Sequence, residues 1–352
     1  MTDNPNKYLG SADLDNFPRL GWISEATPIT ELPQFAEDHG AEWVGCKRDD
    51  QTSGLHGGSK VRKLDFLLAS SPFKESESWA TMGAIGSGHM VASCTAAERL
   101  NRKIHAHLFW EPISDGVLDN LAFTVTHSES LHYYSTRISM AFRKPATFLS
   151  GSVDGSKIIP FGATNPVGIL GLVRAGLELG EQVRNGELPE PKRIYVALGT
   201  GGTVAGLAIG IALGGLSSTI HAVSTVEWII STPFRMRSLL SETRKLLAEN
   251  GHRSAIDIPP AKIVFDRSQL GKGYGFTTPS SLHSVELMQK QGLKIEPVYT
   301  GKMVAAMQND LQSGVDGPIL FWNSMRRELP EISTFWKNKL PPELQRRLDE
   351  QR

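Results

Sequence analysis

The sequence predicts a parallel α/β fold, large enough for two domains or for one large one. Short apolar runs alternate with longer helical patterns, which is typical of a parallel sheet flanked by helices. Glycine-rich turns directly follow two of the predicted strands, at the carboxyl edge where open α/β sheets bind ligands. The chain has 352 residues, more than one compact core usually holds.

Each predicted strand is a short apolar run, and each predicted helix is a longer segment with helical spacing of its apolar residues. The predicted strands are Trp43–Lys47, Trp79–Ile85, Ile104–Trp110, Arg193–Leu198, Ile220–Val226, Ala261–Phe265 and Ile319–Trp322. The predicted helices are Val61–Ala69, His89–Asn101, Pro166–Arg184, Thr203–Leu213, Pro233–Asn250, Pro279–Gln291 and Gly301–Ser313. The segment from Glu111 to Gly155 shows neither pattern, so we expect it to form a lid or an interdomain crossing.

Composition and charge exclude several classes of protein. Lys plus Arg and Asp plus Glu number 37 each, so no net basic charge indicates nucleic-acid binding. The most apolar stretch, VAGLAIGIALGGL, is too short to cross a bilayer, so no membrane partner is expected. The polar N-terminus lacks the apolar core of a signal peptide, and two cysteines make no disulfide framework. We therefore expect a cytoplasmic protein.

The turn ALGTGGTVAGL, at 197–207, predicts a phosphate-binding site. It joins a strand to a helix, and Gly199, Thr200, Gly201, Gly202 and Thr203 lie at the junction. Glycines allow close approach of a ligand, and the first N–H groups of a helix attract an anion. The dinucleotide and Walker patterns both fail here, which leaves a monophosphate cofactor among common ligands. The alternative is a tight turn without a ligand.

The segment HGGSKVRKLDFLL, at 56–68, places two lysines at the entrance of a predicted helix. Lys60 and Lys63 are three residues apart, so they project from nearby faces of that helix. A buried lysine beside other positive charge has a lowered pKa and becomes a nucleophile. One lysine could bind an aldehyde covalently while the other meets a phosphate. The alternative is a solvated, positively charged helix face.

Together these motifs resemble one family of enzymes. The chain resembles the family of 1-aminocyclopropane-1-carboxylate (ACC) deaminase and D-cysteine desulfhydrase, which use pyridoxal 5'-phosphate. The resemblance runs in order through nearly the whole chain. Its motifs are FPRLGWISEATPITELPQF (17–35), CKRDD (46–50), GGSKVRKLDFLL (57–68), GAIGSGH (83–89), NPVGILGLV (165–173), GTGGTVAGL (199–207), GYG (273–275), EPVYTGK (296–302) and ILFWNS (319–324).

The resemblance implies a fold like that of the tryptophan synthase β-subunit: two open, twisted, mostly parallel sheets flanked by helices. It places the cofactor in a cleft between a large domain, residues 1–62 and 174–352, and a small domain, residues 63–173. It also implies a homodimer.

The resemblance further implies roles for individual residues. Lys60 would hold the cofactor covalently and move protons at the substrate Cα, while Lys63 and residues 199–203 would bind the cofactor phosphate. Ser59 would meet the cofactor ring. A small amino-acid substrate would be bound by Ser87, Gly88, His89, Tyr274 and Tyr299, of which Ser87 and the two tyrosines would also serve catalysis.

The residue type at position 300, a threonine, indicates which reaction to expect. In the ACC deaminase type a glutamate occupies this position and keeps the pyridine nitrogen protonated; a hydroxyl leaves that nitrogen largely neutral. Ser324 lies where the desulfhydrase type also offers a hydroxyl. A weaker electron sink suits elimination of a good β leaving group better than the opening of a cyclopropane ring. The expected reaction is therefore α,β-elimination to a 2-oxo acid and ammonia.

The chain also departs from the family pattern. Ser59 and Gly88 stand where the family usually has asparagine, and Met325-Arg326 replaces an expected Gly-Gly. These departures change residues of the expected substrate pocket, whereas the expected cofactor site is retained. Arg326 could bind an anion or lie at the surface. Alternatives that stay open are β-replacement, ACC-type ring opening and a cofactor-binding protein without turnover.

The pair His105 and His107 suggests no metal site, since no third ligand is evident nearby.

Overall fold

The chain divides into two compact units. A computed structural model describes residues 8–143, 151–327, 329, 332 and 334–351. The large unit comprises residues 1–66 and 164–326, and the small unit comprises residues 67–163 and 327–352. The sequence-based division, at 62/63 and 173/174 with the C-terminal segment in the large domain, differs from these units and stays a prediction.

The strands are short, as the apolar runs indicate. In chain order they are β1 (Ile29–Glu31), β2 (Val44–Lys47), β3 (Ser78–Ala84), β4 (Lys103–Phe109), β5 (Ser130–Tyr134), β6 (Ser152–Val153), β7 (Ser156–Ile159), β8 (Arg193–Leu198), β9 (Thr219–Ser224), β10 (Ile263–Asp266) and β11 (Ile319–Trp322).

The α-helices connect the strands. They are α1 (Pro33–Asp38), α2 (Ser59–Leu67), α3 (Gly88–Arg99), α4 (Asp115–His127), α5 (Arg137–Arg143), α6 (Pro166–Arg184), α7 (Gly202–Leu213), α8 (Pro233–Glu249), α9 (Ser254–Asp257), α10 (Pro279–Lys290), α11 (Thr300–Gln312) and α12 (Pro342–Asp349). Short 3-10 helices occur at Ser11–Leu14, Asp49–Gln51, Phe161–Ala163 and Thr334–Lys339.

The sheet of the large unit has the order β1-β2-β11-β8-β9-β10. Only β1 runs antiparallel to its neighbour, with Thr30 opposite Cys46. The other pairs are parallel, and Phe321 of β11 lies opposite Cys46 on one side and Tyr195 on the other. The carboxyl ends of β8, β9 and β11 therefore meet at one edge, where the glycine-rich turn after β8 begins.

Helix α6 brings α2 and α7 close together in the large unit. Its Gly171 lies against the backbone oxygen of Arg62 in α2, where a Cβ would collide. A Cβ on Gly176 would lie 2.7 Å from the backbone nitrogen of Ile211 in α7. Side chains of α6 and α7, including Leu172 and Leu207, fill the main apolar core. The close approach fixes α2 relative to α7.

The sheet of the small unit has the order β5-β4-β3-β7-β6, parallel except for the pair β6–β7. Ile85, Leu108 and Leu121 form its core together with Leu340 and Leu344. The last two residues come from the C-terminal segment, which explains why that segment belongs to this unit. The prediction of two mostly parallel sheets flanked by helices is confirmed.

The expectation of a lid or crossing between Glu111 and Gly155 is wrong for most of that segment. It contributes α4, β5, α5 and β6 to the small unit. Strand β5 pairs with β4 along its length, so it completes a sheet instead of covering one. Residues 144–150 lie outside the described residues.

The described residues contain neither a membrane-spanning helix nor a cluster of metal ligands. None of the described helices is long and apolar enough to cross a membrane. Within the same part of the chain, no group of three His, Cys, Asp or Glu side chains could hold a metal ion. His105 instead contacts the hydroxyls of Ser130 and Ser78, at 2.7 and 3.0 Å.

Candidate active site

A cradle for an anion lies where β8 turns into α7. Gly201 has φ of +91°, a conformation that favours glycine, and it caps α7. The Thr200 Oγ1 lies 2.7 Å from the Oγ1 of Thr164, just before α6. The Nζ of Lys63 lies 3.3 Å from the same Thr164 oxygen. The predicted phosphate loop and the predicted phosphate lysine, remote in sequence, therefore meet.

Gly202 leaves the space that this cradle needs. A Cβ built on it would lie 2.7 Å from the Thr164 Oγ1 and 2.9 Å from the Lys63 Nζ. Any side chain there would fill the space between the lysine amine and the helix start. The first N–H groups of α7, including those of Gly202 and Thr203, have no acceptor one turn earlier within their own helix. Together these donors fit a phosphate.

Lys63 is electrostatically prepared for a negatively charged ligand. The residue is 1% exposed. Burial, together with the positive charge of Lys60, holds the pKa of the Lys63 amine well below its usual range. A phosphate beside the amine would favour its charged form. Lys63 therefore gains charge stabilisation when an anion enters the cradle.

Lys60 lies in the first turn of α2 and is partly exposed. Burial lowers the pKa of its amine, while the carboxylates of Glu296 and Asp49 act in the opposite direction. A lowered pKa increases the neutral fraction of the amine, the form that attacks an aldehyde and accepts a proton. The position thus suits a nucleophile and base.

Three predicted residues frame the same region of the large unit. Tyr299 lies beside the cradle, because a Cβ on Gly199 would be 3.7 Å from its Cε1 atom. The rings of Tyr299 and Tyr274 meet edge to face, with centroids 6.1 Å apart. Thr300, 1% exposed, begins α11 directly after Tyr299.

Ser59 and Ser324 flank the entrance of α2. A Cβ on Gly58 would lie 3.0 Å from the backbone oxygens of both Ser324 and Met325, so the segment after β11 packs on the turn before α2. The Ser59 hydroxyl is fully buried and has no hydrogen-bond partner among the described residues. A buried hydroxyl without a partner is destabilising, so this oxygen is a candidate contact for a bound group.

Glu296 is a member of the site that the sequence reasoning did not single out. Its carboxylate accepts hydrogen bonds from the backbone N–H groups of Val298, Tyr299 and Thr300, at 2.8, 2.9 and 2.6 Å. Burial raises the pKa of this carboxyl group, although the three N–H donors favour its charged form. Glu296 therefore caps the start of α11 and acts electrostatically on Lys60.

A buried network of ion pairs holds α2 in place. The Glu178 carboxylate of α6 contacts the Lys47 Nζ at 2.6 Å and the Arg62 guanidinium at 2.9 Å. Arg62 also contacts Asp49 at 2.8 Å. Although burial opposes it, the charges of Arg62 and Lys47 lower the pKa of Glu178 to about 2. Since Arg62 is two residues beyond Lys60, this network fixes the helix that carries the reactive amine.

Ser87, Gly88 and His89 belong to the small unit and start α3. The turn is held by Glu111 and Asn120, which bond the backbone nitrogen and oxygen of Gly86 at 2.5 and 2.7 Å. Ser87 is the residue before α3, and a Cβ on Gly88 would meet open space. His89 is 4% exposed, and its Nε2 lies 2.9 Å from the Thr81 hydroxyl. Their predicted role in substrate binding stays a prediction.

Comparisons with known proteins find relatives along most of the chain. The family described as "Pyridoxal-phosphate dependent enzyme" matches residues 24–324. D-cysteine desulfhydrase of Klebsiella pneumoniae (strain 342) is 30% identical over 324 residues, covering 88% of this chain and 94% of the relative. A crystal structure of an ACC deaminase homologue superposes with a TM-score of 0.75 at 26% identity, covering 90% of this chain and 95% of the other.

A more distant structure shows the fold alone. Threonine deaminase isoform 2 from Solanum lycopersicum superposes with a TM-score of 0.62 at 14% identity, covering 98% of this chain and 90% of the other. The predicted resemblance to the tryptophan synthase β-like fold is confirmed.

Proposed function

Because the chain belongs to the family of pyridoxal-phosphate-dependent enzymes, we propose that it is a lyase that acts on a small amino acid by α,β-elimination. The products are a 2-oxo acid, ammonia and the departing β substituent. Pyridoxal 5'-phosphate is its cofactor; when bound, it supplies an electron sink conjugated with the substrate Cα. The buried residues around Lys60, Lys63 and Gly202 fit an aldehyde that carries a phosphate.

The observation that carries the proposed reaction is the pair Thr300 and Glu296. A hydroxyl stands at the start of α11, where the ring-opening type of enzyme has a carboxylate. Glu296 is the neighbouring acid, and its carboxylate already accepts the N–H groups of residues 298–300. This carboxylate is therefore already engaged by the backbone N–H groups at the start of α11. This arrangement supports a weak electron sink, which suits departure of a good leaving group better than ring opening.

Different residues of the large unit would hold the cofactor and move the proton. The neutral Lys60 amine would hold the cofactor and take the proton from the substrate Cα, and its lowered pKa supports that role. Lys63, Thr164, Thr200 and the start of α7 would orient the cofactor through its phosphate. Ser59 and Ser324 would contact the ring.

Tyrosine and serine side chains would hold the substrate. Tyr274 and Tyr299 form an edge-to-face pair beside the phosphate loop and would exclude water from the reacting atoms. Ser87, at the start of α3, would bind the substrate carboxylate, with Gly88 and His89 beside it. These assignments come from the family resemblance.

The relative from Klebsiella suggests the first substrate to test, D-cysteine. We expect the purified holoenzyme to release pyruvate, ammonia and sulfide from D-cysteine, or pyruvate and ammonia from another amino acid with a good β leaving group. The panel should contain D- and L-cysteine, D- and L-serine, β-chloroalanine and ACC. Pyruvate is measured by reduction with lactate dehydrogenase, sulfide by methylene blue formation.

Other outcomes of this panel would reject the proposal. Formation of 2-oxobutyrate from ACC alone would assign ring opening, and a new β-substituted amino acid formed with added thiol would assign β-replacement. Spectral binding without any product would identify a cofactor-binding protein without turnover.

The remaining expectations belong to the same proposal. A cytoplasmic location is supported by the two buried free cysteines, Cys46 and Cys94, which suit a reducing compartment. A homodimer is supported by the family resemblance. Sedimentation equilibrium of the purified chain tests the oligomeric state, and a mass of one chain would reject the dimer.

A further inference from the structure

A buried lysine in α11 has no role in the chemistry proposed so far. Lys302 is completely buried, and its Nζ donates hydrogen bonds to the backbone oxygens of Leu270 and Gly273, at 2.8 and 3.3 Å. A buried charge is destabilising unless it is paired and hydrogen-bonded, so a lysine here needs a specific reason. The two acceptors belong to the turn that carries Tyr274.

Two carboxylates act on this ammonium, and each of them holds one of the two tyrosines. The Glu227 Oε1 accepts a hydrogen bond from the backbone N–H of Tyr274 at 3.1 Å. The Glu296 carboxylate accepts the backbone N–H of Tyr299 at 2.9 Å. Burial lowers the pKa of the Lys302 amine, while Glu296 and Glu227 favour its charged form. The Lys302 amine therefore interacts with both carboxylates that hold the backbones of Tyr274 and Tyr299.

The turn itself is shaped for this contact. Gly273 has φ of +116°, and a Cβ there would lie 2.7 Å from the Glu227 Oε1. Glycine lets the backbone pass over the carboxylate while its own carbonyl oxygen faces Lys302. Gly273 thus lies against the Glu227 carboxylate and accepts a hydrogen bond from Lys302 through its carbonyl oxygen.

We propose that Lys302 is a positioning residue that, with Glu227 and Glu296, holds Tyr274 against Tyr299 for catalysis. It does not touch the reacting atoms. The inference rests on the proposed function, because the tyrosines are assigned to the substrate there. Since a small displacement of a substrate-positioning group lowers the rate strongly, loss of Lys302 should affect turnover much more than cofactor binding.

The test compares Lys302→Met with Lys290→Met, a matched change at the exposed end of α10. We expect Lys302→Met to keep the visible absorbance of the bound cofactor and to lose about tenfold or more in kcat/KM. In a cycle with Tyr274→Ala, the double variant should be little worse than the worse single variant, because Tyr274→Ala removes the ring that Lys302 positions. Fully additive effects, or unchanged kcat/KM in Lys302→Met, would overturn the proposal.

A second variant covers the case in which Lys302→Met does not fold. Glu227 is exposed, so Glu227→Ala removes the acceptor of the Tyr274 N–H without opening the core. Its control is Glu286→Ala, another exposed glutamate. We expect faster backbone hydrogen exchange in residues 270–275 for Glu227→Ala only. Equal exchange in both variants would contradict the proposed anchoring.

The exchange measurement separates this inference from the proposed function. If the wild-type enzyme eliminates nothing from any amino acid, the proposed function fails. Faster exchange at 270–275 in Glu227→Ala would then still support the anchoring. If elimination is observed and exchange does not change, the anchoring alone is wrong.

Discussion

The replacement Lys63→Met tests the phosphate cradle, because it removes the amine and keeps the length of the side chain. Lys63 is almost completely buried and its Nζ lies beside Thr164 and the start of α7. A hydrogen bond to a charged group contributes about 1.5–3 kcal/mol. At 1.4 kcal/mol per factor of ten, the affinity for the cofactor should fall about 10- to 150-fold.

The same replacement should have the opposite effect on the protein without cofactor. Burial and the charge of Lys60 disfavour the charged Lys63 amine, so a methionine there avoids the desolvation of a polar group. We expect the free energy of unfolding of apo Lys63→Met to rise by on the order of 1 kcal/mol. A lysine retained for general stability would give a decrease.

The assay is a titration of the apoprotein with pyridoxal phosphate and, separately, with pyridoxal, followed by visible absorbance. Lys63→Met should weaken binding of the phosphorylated ligand and leave binding of pyridoxal nearly unchanged. Lys74→Met, at an exposed position, is the control. Equal weakening for both ligands, or wild-type affinity for pyridoxal phosphate, would refute the reasoning.

Two other substitutions have defined outcomes. Gly202→Ala places a Cβ 2.7 Å from the Thr164 Oγ1, so equilibrium dialysis should show at least about tenfold weaker cofactor binding, while circular dichroism stays unchanged. Glu178→Gln leaves Lys47 and Arg62 without their shared carboxylate, and urea denaturation at pH 7 should show a loss of about 3–5 kcal/mol. Because the pKa of Glu178 is depressed to about 2, its contribution is complete above the usual carboxyl pKa of 4.5 and disappears as the pH falls towards 2, so the deficit should shrink in acid.

The elements with strong local signals were predicted correctly. Arg193–Leu198 and Ile319–Trp322 are buried strands with the predicted bounds, and Pro166–Arg184 begins and ends where predicted. Strand β5 was missed because Ser130–Tyr134 mixes polar and aromatic residues. Its structure depends on pairing with β4, which no local pattern encodes.

Residue type and turn chemistry coincide in the glycine-rich loop after β8 and at the two lysines of α2, so the sequence indicated these candidate residues, and their roles stay predictions. Thr164 was missed because its contacts with Lys63 and Thr200 span 101 and 36 residues. Glu296 offered a usable signal, since an acidic residue just before a predicted helix is positioned to accept its first N–H groups. No sequence signal pointed to Lys302, because a lysine in an amphipathic helix is normally exposed.

The central claim is that the Lys60 amine carries the cofactor. Borohydride reduction of the holoenzyme, followed by peptide mapping by mass spectrometry, tests it without any substrate. We predict a phosphopyridoxyl group on Lys60, and neither this label nor the Schiff-base absorbance band in Lys60→Ala. A label on another lysine of the wild-type enzyme, or a reducible band that persists in Lys60→Ala, would contradict the account.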